Sequence, residues 1–241
     1  MTYIDALFQY WIGAEWYVAL AMSVAVNVAV FAVTAFVLDV AINKLVAGYD
    51  AGKFIDNRPL KPGQKKMEIR NGMVACTIFA VGSLLTRELF VGVWPATFFD
   101  LFIQLITFII FYESYSYFVH RLLHTKPFLK IHAVHHRSIR VNPWSAYSVH
   151  PVEAMLIGMS APVFMSLLPL SLGVAFVLHV FGMMFTIFLH SNYGLYIGSK
   201  MVRMVNGYPA YHSAHHLSGK VNFGFVNSFW DKFFRTRSKS C

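Results

Sequence analysis

The chain has 241 residues, of which 57% are hydrophobic and 13% charged, and its mean hydropathy is +0.53. Soluble domains carry about 25% charged residues, so this composition excludes disorder, a collagen-like repeat and, with two cysteines, a disulfide scaffold, and it argues against a soluble enzyme. The 20 lysines and arginines exceed the 11 acidic residues, and on so apolar a chain this excess predicts a surface that faces a membrane.

The first half of the sequence predicts three membrane-spanning helices. Trp16 to Leu38 contains no charged residue and, at 1.5 Å per residue, is long enough to cross the roughly 30 Å hydrocarbon core of a bilayer. A second apolar stretch runs from Gly72 to Val93 and a third from Ala96 to Val119. Pro95 lies between them and favours a turn, so these two stretches predict a helical hairpin.

The second half predicts another hairpin. Residues Ala154 to Ser199 include no Asp, Glu, Lys or Arg, and this stretch is too long for a single span. Pro169 divides it into two arms, of which the first is short enough to be re-entrant. The prediction is an all-α integral membrane protein with about four to five transmembrane helices, an N-terminal span and two hairpins, folded as one domain over residues 1–241.

The basic residues predict the orientation of these helices. Segments 39–71, 120–150 and 200–241 hold seven, five and seven Lys or Arg, which is 19 of the 20 in the chain. One span followed by two hairpins brings all three segments to one face, and Lys- and Arg-rich loops mark the cytoplasmic side. We therefore expect the C-terminus and a histidine-rich helical cap on the cytoplasmic side of a bacterial inner membrane or the endoplasmic reticulum.

Eight of the eleven histidines fall in three short patterns that are typical of metal ligation. The patterns are HxxxH at His120 and His124, and HxxHH at His132, His135 and His136 and again at His212, His215 and His216. Residues at i, i+3 and i+4 share one helix face, so each block points its imidazoles in one direction. A single zinc site uses only four ligands, so eight converging imidazoles predict a centre with two metals.

These patterns lie in a region, about residues 113–236, that resembles the membrane fatty acid hydroxylase and sterol desaturase superfamily. The stretch HRLLHTKPFLKIHAVHH resembles the first two histidine boxes of that family. The stretch HSAHHLSGKVNFGFVNSFWDKFFRT resembles its last box and Trp-Asp ending. Its HPxE segment resembles SIRVNPWSAYSVHPVE, and its lone-histidine element resembles HSNY at 190–193. The family usually has Gly at the position of Arg235.

The resemblance implies a non-haem di-iron centre that uses O2 to hydroxylate or desaturate an unactivated C–H position of a fatty acyl, sterol or related lipid. By motif, the iron ligands would be His120, His124, His132, His135, His136, His190, His212, His215 and His216, with His150 as a further candidate. Ligating imidazoles commonly donate their second N–H to a carboxylate, and the candidates for this role are Glu113, Glu153 and Asp231. His179 matches no motif, and we expect it to be a core residue with one hydrogen bond.

Electrons for such a reaction must come from a separate protein, because the sequence has no GxGxxG nucleotide motif, cysteine cluster or haem-binding module. A donor of the cytochrome or ferredoxin type is implied, and a basic face suits an acidic partner. No nucleic-acid partner is expected, since the basic residues lie in membrane-flanking loops without a recognition motif.

Two other functions stay open. A zinc-dependent membrane lipid hydrolase would also use histidine ligands, although it needs far fewer and the sequence has no HExxH motif. A metal transporter would place its ligands near the bilayer midplane on broken helices. Eight histidines of this chain lie instead in charged segments outside the predicted spans, which favours the oxygenase.

The predicted orientation can be tested with reporters at the two ends of this chain. A reporter fused after Cys241 is expected on the cytoplasmic side and one fused before Thr2 on the opposite side, because the charge pattern requires an odd number of crossings. Labelling of each fusion by a membrane-impermeant reagent in intact cells measures this. Both reporters on one side would contradict the predicted topology.

Overall fold

The computed structural model describes residues 2–48, 52–195 and 200–238. The described residues are mostly helical, with one short 3-10 helix at Pro143–Ser145 and two short strands. In chain order the other elements are α1 (Tyr3–Gly13), α2 (Trp16–Gly48), β1 (Gly52–Phe54), α3 (Gln64–Leu89), α4 (Phe98–Leu123), α5 (Leu129–His136), α6 (Pro151–Gly158), α7 (Ser160–Leu167), α8 (Leu172–Leu189), β2 (Tyr193–Leu195), α9 (Lys200–Ser218) and α10 (Phe229–Phe233).

Four helices, α2, α3, α4 and α8, are long and apolar enough to cross a membrane. Helices α3 and α4 are the first predicted hairpin, and the short first arm of the second hairpin is Pro151–Leu167, which contains α6 and α7. The prediction of an all-α, multi-pass membrane protein is therefore confirmed. Helix α3 begins at Gln64 and not at Gly72, because the polar residues between them are good helix formers that extend it beyond its apolar part.

A small antiparallel sheet is the one departure from an all-α fold among the described residues. Strand β1 pairs with β2 over three residues, with Gly52 opposite Leu195. The pairing continues into the next turn, where Asp56 donates its backbone N–H to the side chain of Asn192 and accepts from it at 2.8 and 2.9 Å. Asn192 has a φ of 57°, a conformation that Asn tolerates better than most residues. The sheet ties the loop after α2 to the chain that leaves α8.

Arg87, the single basic residue outside the three basic segments, lies at the opposite end of the bundle from the histidine patterns. Its guanidinium donates to the carbonyl oxygens of Ile12 and Ala14 at 2.5–3.1 Å. These carbonyls belong to the last turn of α1, where backbone acceptors have no partner within the helix. Nearby, the indole of Trp94 donates to Asp5 at 2.7 Å. The first contact attaches the end of α1 to the last turn of α3, and the second attaches α1 to the turn between α3 and α4.

The packing of α2 against α3 supports the histidine-bearing end of the molecule. Phe31 of α2 is fully buried over Gly72 of α3, where an added Cβ would approach the ring within 2.4 Å, so no side chain fits there. The same ring packs edge-on against Trp144 and Tyr147, with centroid separations of 5.8 and 6.1 Å. Residues 141–149 are all buried, so the chain between α5 and α6 is held firmly between the long helices.

Candidate metal centre

Nine histidines meet at one end of the helix bundle, where α4 and α8 end and α5 and α9 pack together. They form two groups, and within each group the candidate ligand nitrogens lie within 4.8 Å of one another. The five-histidine group contains His120, His124, His132, His136 and His215, and the four-histidine group contains His135, His190, His212 and His216. The nine are the residues that the motifs single out, and each HxxHH helix divides its three rings between the two groups.

The Nε2 atoms of each group converge. In the five-histidine group, Nε2 of His136 lies 3.1 Å from Nε2 of His132 and 3.2 Å from Nε2 of His215. Nε2 of His215 in turn lies 3.1 Å from Nε2 of His124. In the four-histidine group, Nε2 of His190 lies 3.3 Å from Nε2 of His135 and 2.9 Å from Nε2 of His212. Nε2 of His212 in turn lies 3.1 Å from Nε2 of His216. Two nitrogens bound about 2.0–2.1 Å from one ion, at 90–110° to each other, are about 2.9–3.4 Å apart. Both groups therefore have the spacing of ligands that share an ion.

The outward nitrogens show which tautomer several rings adopt. The Nδ1 atoms of three rings lie 2.6–2.8 Å from backbone carbonyl oxygens, which pair His120 with Phe223, His190 with Thr186 and His215 with Val221. A carbonyl oxygen only accepts, so Nδ1 carries the hydrogen and Nε2 keeps a lone pair. These lone pairs face the centre of their group, as in metal-binding imidazoles. The donor set fits two ions that bind imidazole, such as iron.

Burial keeps these rings uncharged. It lowers the pKa of His124, His136 and His190 to about 4. In four other rings the pKa is lowered well below its usual value, mainly by desolvation and to a smaller extent by the neighbouring imidazoles. These rings are His135, His212, His215 and His216. The neutral imidazole is the form that binds a metal, so at neutral pH the rings are ready to ligate without first losing a proton.

Glu153 of α6 contacts a candidate ligand directly. Its Oε1 accepts a hydrogen bond from Nδ1 of His132 at 2.8 Å, and both side chains are almost fully buried. A carboxylate in this position fixes the ring orientation and makes the opposite nitrogen a stronger donor to a metal. This is the contact that the sequence led us to expect of Glu153, and its effect on metal affinity stays a prediction.

The other two carboxylates hold the loop that follows α9, and neither bonds to a histidine ring of the described chain. Glu113 accepts from the backbone N–H of Val226 at 3.1 Å. Asp231 accepts from the backbone N–H of Phe223 at 3.0 Å. Because the carbonyl of Phe223 accepts from His120 at 2.8 Å, Asp231 supports that ring through one intervening residue.

Two further histidines lie outside both groups. His150 caps the N-terminus of α6, where its Nδ1 accepts from the backbone N–H of Val152 at 3.2 Å. His179 lies in α8, and its Nε2 forms a hydrogen bond of 2.8 Å with Oδ1 of Asn27 in α2. The structure therefore does not bring His150 to the metal centre, although its motif made it a candidate.

Glu68 of α3 is a residue that the sequence analysis missed. It is fully buried and accepts hydrogen bonds of 2.7–2.8 Å from the side chains of Gln64, Ser138 and Asn142. Ser138 and Asn142 lie in the loop that follows α5, so Glu68 anchors the first HxxHH pattern to a membrane-spanning helix. A charged residue near the start of an apolar helix was the available signal, because buried charges in such helices are rarely without a role.

Arg235 adopts the conformation of the glycine that it replaces. Its φ is 56°, in the left-handed region where side chains with a Cβ are strained. The turn is closed by backbone hydrogen bonds from Thr236 and Arg237 to the carbonyl of Asp231, at 2.8 and 3.2 Å. The sequence departure at this position therefore leaves the turn intact.

Two neighbouring cavities lie inside the bundle, and the smaller one adjoins the grouped histidines. A small one of about 50 Å³ is lined by Glu153 and by rings of both groups, namely His120, His132, His135 and His190. A larger, mainly apolar one of about 370 Å³ lies among α3, α4, α6, α7 and α8. Five residues line both, namely Tyr112, Tyr147, Ile157, Thr186 and Phe225. The larger, apolar cavity therefore lies next to the small cavity at the histidines.

Comparison with known proteins gives a family match. Residues 105–236 match the model of the fatty acid hydroxylase family. The chain is 32% identical to Delta(7)-sterol 5(6)-desaturase ERG3 of Saccharomyces cerevisiae over 55% of this chain and 35% of that protein. It is 29% identical to Delta(7)-sterol 5(6)-desaturase of Eremothecium gossypii over 76% and 54%, and 25% identical to human lathosterol oxidase over 58% and 47%. The alignments thus span between a third and just over half of these relatives, and no solved structure matches the chain.

The strained turn at Arg235 yields a stability prediction. Arg235→Gly is expected to stabilise the protein by about 1 kcal/mol, because Gly adopts a positive φ without the Cβ clash and the side chain of Arg235 is exposed. The thermal unfolding midpoint of the purified protein measures this. Lys232→Gly, at an exposed position within α10, is the matched control and should lower the midpoint. If Arg235→Gly lowers the unfolding midpoint as much as Lys232→Gly does, the backbone at Arg235 is not strained.

The contact between Glu153 and His132 yields a prediction about metal affinity. Glu153→Gln keeps the size of the side chain but removes its charge, so metal affinity should fall about 10- to 100-fold. The measurement is metal retained per chain across a chelator series. Glu88→Gln, an exposed carboxylate at the other end of α3, is the control that should change nothing. If Glu153→Gln retains as much metal as the wild type, Glu153 does not strengthen metal binding by orienting His132.

Proposed function

The chain belongs to the fatty acid hydroxylase family, whose model matches more than half of it, and on this premise we propose that it is an O2-dependent lipid oxidoreductase with two non-haem irons. Its reaction would be hydroxylation or desaturation of an unactivated C–H position. The observation that carries the proposal is the pair of histidine groups beside an apolar cavity.

In this proposal each histidine group holds one iron through its Nε2 atoms. Bound iron supplies the activation of O2 and the oxidation of the C–H bond, which amino acid side chains alone do not perform. The protein supplies neutral rings, four of which are already held through their outward nitrogens, so little reorganisation of these four accompanies ligation. It also supplies an apolar cavity that binds the lipid and keeps bulk water from the reacting carbon.

The proposed substrate is a lipid, because the cavity is embedded among helices that span the membrane. Its volume of about 370 Å³ lies within the range of about 300–1,000 Å³ that is usual for small-molecule sites. The curated relatives are named as sterol desaturases and as a lathosterol oxidase. A sterol or a related lipid of similar size is therefore the class that we propose first, with fatty acyl chains as the alternative.

A separate electron donor is part of the proposal. Helix α5 carries three of the histidines, and the exposed basic residues around it are Lys126, Lys130 and Arg137. Complementary charge accelerates association with an acidic partner, so a small acidic redox protein suits this surface. We place this surface on the cytoplasmic side of the membrane, since it belongs to one of the three sequence segments that hold 19 of the 20 Lys and Arg.

The geometry favours this function over the two alternatives. A catalytic zinc uses three protein ligands and keeps one position for water, whereas the two groups offer five and four imidazoles. A transporter needs its ligands near the bilayer midplane, whereas these histidines lie at or beyond the ends of the long helices. Neither a zinc hydrolase nor a metal transporter accounts for nine inward-facing rings.

The proposal predicts two irons per chain and their loss with the ligands. Protein purified without oxygen should contain two irons, and His136→Ala or His215→Ala should lose iron from the five-histidine group and abolish product formation. Substitution of His135 or His216 should have the same effect through the four-histidine group. Iron content and lipid product are measured on the same preparations. Full activity in His136→Ala or His215→Ala would overturn the proposal.

His150→Ala is the matched control for this experiment. Its ring caps α6 and lies outside both groups, so the variant should keep both irons. Loss of iron in His150→Ala would show that the ring reaches the centre. Wild-type protein that binds a single iron would contradict the dinuclear site.

A further inference from the structure

The larger cavity contains one imidazole in an otherwise mainly apolar wall. His179 lines it together with side chains such as Phe79, Leu178 and Met183. The ring is held edge-on to Phe79, with centroids 6.1 Å apart. It belongs to neither histidine group, so metal ligation does not account for it. A polar group in such a wall suggests a polar partner in the molecule that fills the cavity.

The hydrogen bond to α2 determines the tautomer of this ring. Asn27 is buried, and its Nδ2 donates to the backbone carbonyl of Ser23 at 2.8 Å, which places its Oδ1 toward His179. An amide oxygen only accepts, so Nε2 of His179 must carry the hydrogen of this 2.8 Å bond. In the neutral ring, Nδ1 is then left with a lone pair and acts as an acceptor.

This acceptor has no partner within the part of the chain that the structure describes. The bond to Asn27 is the single hydrogen bond of the His179 ring among those residues. Nδ1 is also not among the polar atoms that are sealed from the surroundings without a partner. It therefore keeps some accessible surface, and because His179 lines the cavity, a molecule bound there can donate to it.

The position of His179 along α8 sets its distance from the metal centre. His190, a member of the four-histidine group, follows α8 directly and lies eleven residues after His179. Eleven residues of α-helix cover ~16 Å and three full turns plus about 20°, so both rings lie on nearly the same face. Thr186, between them on that face, lines both cavities. The helix thus runs from a hydrogen-bond acceptor in the wall of the larger cavity to the histidines at the small cavity.

The charge of the wall restricts which head group this acceptor can bind. No Lys or Arg lines the larger cavity within the described chain. A carboxylate or phosphate would meet a lone pair without a balancing cation, and burying such an unpaired charge is strongly unfavourable. A neutral hydroxyl group instead donates its hydrogen to Nδ1 and needs no counter-charge.

We propose that His179, held by Asn27, accepts a hydrogen bond from a hydroxyl group of the lipid substrate and thereby sets which carbon reaches the metal centre. The inference deepens the proposed function and rests on it, because the bound lipid is a substrate only if the protein oxidises it. It assigns the site to neutral lipid alcohols and disfavours free fatty acids and phospholipids. The oxidised carbon would then lie toward the end of the molecule remote from the hydroxyl.

The experiment compares two lipids that differ by one hydroxyl group. Unlabelled cholestanol and cholestane compete with radiolabelled cholestanol for the purified full-length protein in nanodiscs, without an electron donor. One hydrogen bond in an apolar site should give cholestanol about a threefold to tenfold advantage in the wild type. His179→Phe, which keeps an aromatic ring but no acceptor, should bind the two lipids equally well.

Three further variants keep the result interpretable. His179→Gln should recover the preference, because its amide can donate to Asn27 and present an oxygen to the cavity. His179→Leu is a second variant without an acceptor and should behave like His179→Phe. Met183→Leu changes the apolar wall alone and should affect both lipids equally. Absence of a preference in the wild type, or its persistence in both acceptor-free variants, would overturn the inference.

This binding measurement is independent of turnover. A hydroxyl preference that disappears in His179→Phe, in a protein that oxidises no lipid when given electrons and O2, would retain the binding site and refute the proposed function. Product formation by a protein whose lipid preference ignores His179 would retain the proposed function and refute the inference.

Discussion

The convergence of nine imidazole rings is the constraint on which the rest of this structure depends. Neighbouring Nε2 atoms lie 2.9–3.3 Å apart, and lone pairs at that distance repel unless a cation lies between them. The rings must therefore be held in place by the protein around them. Backbone carbonyls of α8 and of the loop after α9, together with one carboxylate, do this through Nδ1 of His120, His132, His190 and His215. Metal binding and the folding of the cap are consequently expected to be coupled.

Buried carboxylates without cationic partners hold the segments that carry those carbonyls and rings. Glu68 is satisfied by three neutral side-chain donors, and Asp231 by backbone N–H groups together with the hydroxyls of Tyr211 and Thr236. Buried carboxylates are tolerated where such hydrogen bonds replace water. The first fastens the chain after α5 to α3, and the second fastens the loop after α9 to α10. Both act on the geometry of the rings without touching a ring.

The membrane-embedded part contributes a different environment. Its larger cavity is mainly apolar and shares five wall residues with the small cavity at the histidines. Helix α8 runs along both cavities, with His179 in the wall of the larger one and His190 directly after its last residue, in the wall of the smaller one. One helix therefore positions both the acceptor that we assign to the lipid and a ring of the metal centre. A change in the length or tilt of α8 would alter the distance between them.

Local patterns in the sequence were sufficient for the spans and for the histidine set. Hydropathy over about twenty residues identifies a helix that can cross a bilayer, and the spacing in HxxHH places rings on one face of a helix. Both properties depend on neighbours along the chain. The tertiary structure alone decided how nine rings divide into groups of five and four, because each HxxHH helix serves both groups. It also decided that His150 caps a helix, that Glu113 and Asp231 hold a loop, and that Glu68 anchors α5. These roles rest on contacts such as that of His120 with Phe223, 103 residues away, and no local pattern encodes which distant segments pack together.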